Sequence, residues 1–73
     1  MTLYTLQVSN HPGAGSRIPT AEASESWLTL YDGPIATAKE ARIAVDELAR
    51  FHRCVRAFKG NHTIGKLWYA VLR

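Results

Sequence analysis

Cysteine is nearly absent: Cys54 stands alone, which excludes an internal disulfide and fits a reducing compartment. No apolar run approaches the ~20 residues of a membrane-spanning helix. The start, Met1 to Val8, has no basic segment of the kind that opens a secretory signal, so no membrane is expected among the partners, and the expected setting is the cytoplasm of whatever cell makes it. Acidic residues stop at Glu47. From Leu48 onward there is no carboxylate, while Arg50, Arg53, Arg56, Lys59, Lys66 and Arg73 all fall in that stretch. Residues 1–35 hold only Arg17 against Glu22, Glu25 and Asp32, a balance of −2; residues 36–73 hold eight basic residues against Glu40, Asp46 and Glu47, a balance of +5. Such asymmetry suggests an anionic partner for the C-terminal half, while a charge of this size is equally ordinary for solubility.

Catalytic and cofactor signatures are missing as well. Gly13-Ala14-Gly15-Ser16-Arg17 follows a strand-like segment, but Ile18 stands where a dinucleotide fingerprint needs its third glycine. Gly65-Lys66 is followed by Leu67, where a phosphate cradle of the P-loop kind needs Ser or Thr. His11, His52 and His62 are scattered, and His52 with Cys54 supplies at most two of the four ligands of a zinc site. No cofactor, no metal and no enzymatic activity are expected. At 73 residues one small domain is expected, burying only about 60–65% of its unfolded surface. A homodimer or a tight partner is the remaining way to bury more.

What is present reads as strands and one helix. Thr2 to Val8 alternates Tyr4, Leu6 and Val8 with Leu3, Thr5 and Gln7, the period of a strand with one buried face. Residues 9–24 carry two prolines and two glycines among small polar residues and read as a long loop, a length usually mobile or used in binding. Glu25 to Tyr31 reads as a second strand with Trp27, Thr29 and Tyr31 on one face, stopped by Asp32-Gly33-Pro34. Thr37 and Glu40 have the spacing of a capping box. Behind it, Ala41, Ala44, Val45, Leu48 and Phe51 or His52 form an apolar helical stripe, with Asp46 placed to pair with Arg42 and Arg50. Cys54 to Lys59 is a third strand, residues 60–63 a hairpin connection, and Leu67 to Leu72 a fourth strand. The fourth is apolar on both faces and therefore suited to the middle of a sheet or to an interface.

The expected fold is α+β, in the order β-β-α-β-β: a mostly antiparallel four-stranded sheet with one helix on one face. A single helix leaves the other face bare. That face is expected to carry Trp27, Thr29, Tyr31, Arg56 and either Phe58 or an aromatic of the last strand, and to meet a partner. The candidate partner-binding residues are Arg50, Arg53, Arg56, Lys59, Lys66, Trp27 and Tyr31. Over its whole length the chain resembles the small type I anti-CRISPR proteins of phages, in size, element order and lack of catalytic motifs. It shares no sequence motif with them, so no residue roles carry over. The resemblance implies a non-enzymatic inhibitor that docks on a host protein or ribonucleoprotein complex and blocks target DNA binding or nuclease recruitment by occlusion. The basic charge excludes DNA mimicry, the route of many acidic inhibitors of that kind. The alternative is a small RNA- or DNA-binding module, with the basic residues on phosphates and Trp27, Tyr31 and Trp68 stacking on bases. A third reading is a homodimer subunit.

Overall fold

In a computed structural model, described for residues 2–60 and 65–73, four strands form one antiparallel sheet in the order β2-β1-β3-β4. The elements along the chain are β1 (Thr2–Ser9), α1 (Ala21–Glu25), β2 (Leu28–Ile35), α2 (Ala38–Leu48), β3 (Cys54–Lys59) and β4 (Lys66–Val71). β1 lies between β2 and β3, and β4 pairs with β3. The α+β class and the four antiparallel strands are as the sequence predicts, with a short additional helix. Residues 61–63 of the expected hairpin connection lie outside the described residues; Gly60 opens it at φ 94°, a left-handed conformation that suits glycine, and its amide donates to the Leu3 carbonyl at 2.7 Å.

The helix α2 starts where Thr37 caps it, the Thr37 hydroxyl accepting from the Glu40 amide at 3.1 Å, which satisfies one orphan donor of the first turn. Its apolar stripe packs on the even positions of β1 and the odd positions of β3 and β4. Leu6, Val8, Val45, Ala49, Val55 and Ala57 form the buried core, flanked by Ile35, Leu48, Tyr69 and Val71. The helix ends at Leu48, before the stripe can reach Phe51, which is 76% exposed. Asp46 does not bridge Arg42 and Arg50. It accepts from the Tyr69 hydroxyl at 2.9 Å, Arg42 lies over the Tyr69 ring, and Arg50 reaches Glu47 at 3.5 Å in an exposed pair of small worth.

Four expectations are corrected. β2 does not stop at Asp32-Gly33-Pro34 but runs through them to Ile35; it is an edge strand, where a proline is tolerated because outward amides have no ladder partner to lose. β4, apolar on both faces, is the opposite edge and not a central strand, so of its two expected placements the middle of the sheet is ruled out; the centre belongs to β1 and β3. β1 escapes recognition as doubly buried because its second face is polar: Thr5, Gln7 and Ser9 are all buried. Each is satisfied by a neighbour. Thr5 donates to Asp32 at 3.0 Å, Gln7 donates to Thr29 at 3.1 Å, and the Ser9 and Ser26 hydroxyls lie 2.6 Å apart. Finally, residues 21–25 of the expected loop region are helical.

One end of that second face is covered by the chain itself. The connection between β1 and β2 folds back over the Ser9/Cys54 end of the sheet and is held by local bonds. His11 Nδ1 accepts from the Gly13 amide at 3.0 Å, and its Nε2 lies 3.7 Å from a Glu22 carboxylate oxygen. Thr20 caps α1 by accepting from the Ala23 amide at 3.2 Å, and Asn10 Oδ1 accepts from the Arg53 amide at 3.0 Å. Ala14 and Ala23 are buried beneath this segment, and Cys54 is fully buried. A Cβ on Gly15 would lie 3.2 Å from the Arg73 carbonyl oxygen and 3.5 Å from Cys54 Sγ, so the backbone closes directly on the thiol.

Candidate functional site

The seven candidate residues do not form one surface. Arg50 and Arg53 sit in the turn before β3, whereas Lys59 and Lys66 pair across its far end. Six residues at about 3.3 Å each separate Arg53 from Lys59 by roughly 20 Å. Trp27 and Arg56 share the second face, as expected, but they are spent on each other. The Arg56 guanidinium lies 4.1 Å from the Trp27 ring centroid and 5.0 Å from that of Phe58, and its Nε donates to Gln7 Oε1 at 2.7 Å. Burial of the guanidinium lowers its pKa from the ordinary arginine value. This is a structural clamp that pins the chain before β2 to β3, not an open stacking platform. The bare aromatic face inferred from the helix count is therefore partly occupied by the chain's own residues, and a cleft of about 310 Å³ lies between Pro19 and Trp27 on one side and Leu67 and Ala70 on the other.

Tyr31 lies on the other face. A bulge in β2 makes Leu6 oppose Tyr31 and Gln7 oppose Thr29, leaving Leu30 as the extra residue. One added residue resets the alternation of side chains along a strand. Thr29 therefore joins Gln7 on the second face, while Leu30 and Tyr31, though adjacent, both line the helix side. Together with Leu6, Ile35, Ala44 and Leu48 they bound an open apolar groove of about 450 Å³ between the β2 edge and α2, and Glu40 is the one charged residue lining it. The Tyr31 hydroxyl donates to the Pro34 carbonyl at 2.6 Å and its ring lies over Gly33, where a Cβ would come 3.1 Å from the hydroxyl oxygen. Leu28, Leu30 and Tyr31 remain 61, 44 and 42% exposed.

A second bulge does the same for β4. Ala57 opposes Tyr69 and Phe58 opposes Leu67, so Trp68 is the extra residue. It turns to the helix side beside Tyr69, with ring centroids 5.9 Å apart, and packs edge-on against Tyr4 at 5.2 Å. Tyr4 opposes Lys59 and Lys59 opposes Lys66, and opposed residues of antiparallel strands share a face. Lys59, Lys66, Trp68, Tyr69 and Arg42 thus fall on one surface. Sequence alternation missed both groupings, because a bulge leaves no mark in a pattern of alternating residues. The one available signal was an adjacent pair of large side chains on each edge strand, Leu30-Tyr31 and Trp68-Tyr69.

Among the described residues no cluster of three or more His, Cys, Asp and Glu side chains is placed to hold a metal ion, and no helix is long and apolar enough to cross a membrane. Comparison with known proteins finds no matching family model, no similar curated protein and no similar solved structure.

Proposed function

We propose that this chain is a small non-enzymatic binding protein that docks on a host protein or ribonucleoprotein complex and blocks it by occlusion, the mode implied by its resemblance to the type I anti-CRISPR proteins. The observation that carries the reading is the groove beside β2. An eight-residue edge strand offers unpaired backbone groups on its outer side, and Leu30 and Tyr31 stand next to an apolar trough lined by Ile35, Ala44 and Leu48. Lysine, the residue that commonly guards an edge against pairing, is missing from this strand. The occupant that fits is an extended segment of the partner protein that adds to the sheet edge. Its inward side chains are apolar, and one Lys or Arg meets Glu40 at the rim.

The test uses purified type I surveillance complexes with the chain added in stoichiometric excess, reading target DNA binding and nuclease recruitment. Inhibition by the native chain, lost in a folded Leu30→Asp variant, supports the reading. Loss of a central groove contact of this kind is worth at least about 2 kcal/mol, or roughly 30-fold in affinity. Absence of inhibition across such complexes, or equal inhibition by the variant, overturns it. A concentration-dependent molecular weight abolished by Leu30→Asp would instead make a second copy of the chain the occupant of the groove.

A further inference from the structure

We propose that strands β3 and β4 and the adjoining flank of α2 form a second recognition surface, one that takes single-stranded nucleic acid independently of the groove beside β2. Arg42 lies 4.9 Å from the Tyr69 ring centroid, Tyr69 is followed by Trp68, and Trp68 abuts Tyr4. Lys59 and Lys66 continue that row through strand register. Trp68 and Tyr69 are half-buried and both lysines exposed, so partly exposed rings are flanked by a cation on one side and two on the other. The carboxylate that faces it, Asp46, already accepts from the Tyr69 hydroxyl, and neither β3 nor β4 carries an acidic residue. Arg42 and the two lysines suit three successive phosphates of a flexible backbone, while the half-exposed Trp68 suits a base freed from stacking. A duplex offers no such base. The bulge is the local cause: it puts two neighbouring aromatic side chains on one face, and such irregularities commonly re-aim a side chain beside a functional site.

The experiment is fluorescence anisotropy at low salt with labelled twelve-nucleotide single strands of deoxythymidine and of uridine, a duplex of the same length, and inorganic polyphosphate as competitor. The two tryptophan indole N–H resonances are followed by NMR in parallel. Three neutralised phosphates on a single strand predict a slope of log affinity against log salt near −2. The Trp68 resonance moves on addition of oligonucleotide, whereas that of Trp27, locked on Arg56, does not. Lys59→Gln with Lys66→Gln, both at exposed positions, weakens binding at least about tenfold and flattens the slope toward −0.7. Trp68→Leu weakens single strands while leaving polyphosphate binding unchanged. Binding of either the DNA or the RNA strand supports the site, since their phosphate and base chemistry is shared. No binding of any oligonucleotide, preference for the duplex, a Trp27 response in place of Trp68, or indifference to the lysine pair each overturns it. None of these results bears on inhibition through Leu30, so the two readings fail separately.

Discussion

Truncating Arg56 to alanine separates a structural clamp from a binding residue. The native side chain makes a charge-assisted hydrogen bond to Gln7 at 2.7 Å and lies within 5.0 Å of two ring centroids. Losing a hydrogen bond to a charged group costs about 1.5–3 kcal/mol, a figure that includes stranding the buried Gln7 acceptor. Each cation–ring contact adds about 0.5–1 kcal/mol at a site of this exposure. Desolvation of the partly buried guanidinium works against these gains, so a total of about 3 kcal/mol is expected. A chain of 73 residues has a stability of roughly 4–11 kcal/mol, so the loss is a large share of it. With a urea dependence near 1 kcal/mol/M for a protein of this size, the unfolding midpoint falls by about 3 M. Trp27 emission should shift to the red in the folded variant as its ring loses its cover. A loss under about 0.5 kcal/mol with unchanged emission would refute the clamp and return Arg56 to the list of free cations. A double-mutant cycle of Arg56→Met with Gln7→Leu should give a coupling of at least about 1 kcal/mol.

Further predictions follow from single residues elsewhere. Thr37→Ala removes the α2 cap and should cost about 1 kcal/mol in urea unfolding, whereas Arg50→Ala, at an exposed pair, should cost less than about 0.5 kcal/mol. Gly60→Ala forces a side chain into φ 94° and should cost about 1–2 kcal/mol, read as a lower thermal midpoint. Gly33→Ala pushes the Tyr31 ring off its seat; it should weaken partner inhibition more than it lowers stability. Leu30→Asp should leave the circular dichroism spectrum unchanged, since the side chain is 44% exposed.

Much of the backbone was legible in the sequence because its signals were local. The Thr37 cap, the stripe of Ala41, Val45 and Leu48, and the alternation of Val55 and Ala57 with Arg56 each lie within one element and are found where the pattern puts them. What failed required knowledge of neighbours. Alternation predicts Tyr31 on the face of Trp27 only if β2 is regular, and the bulge at Leu30 moves it across the sheet. Counting helices predicted a bare sheet face because the segment between β1 and β2 looked like a plain loop. Its covering role depends on small residues, with Ala14 and Ala23 buried and Gly15 close against Cys54 and the Arg73 backbone, without any hydrophobic run to betray them. Polar Thr5, Gln7 and Ser9 likewise hide the central position of β1, since their burial rests on partners distant in sequence.

The functional consequence is a change of surface. Trp27 and Arg56 are engaged with each other, and the two surfaces proposed for recognition lie along the two sheet edges, on the helix side in both cases. The charge asymmetry of the sequence survives in part: Lys59 and Lys66 remain together, and Arg42, from the helix, joins them through Tyr69.

The chain's cover over its own second face is tested most directly by the alkylation rate of Cys54 in dilute native buffer, compared with the rate in concentrated urea. A thiol enclosed by β1, Gly15 and the Arg73 backbone should react at least about a hundredfold more slowly in the native protein, because exposure requires opening with a free energy of a few kcal/mol. Equal rates would mean that residues 10–27 do not close on the sheet, and the second face would again need a partner.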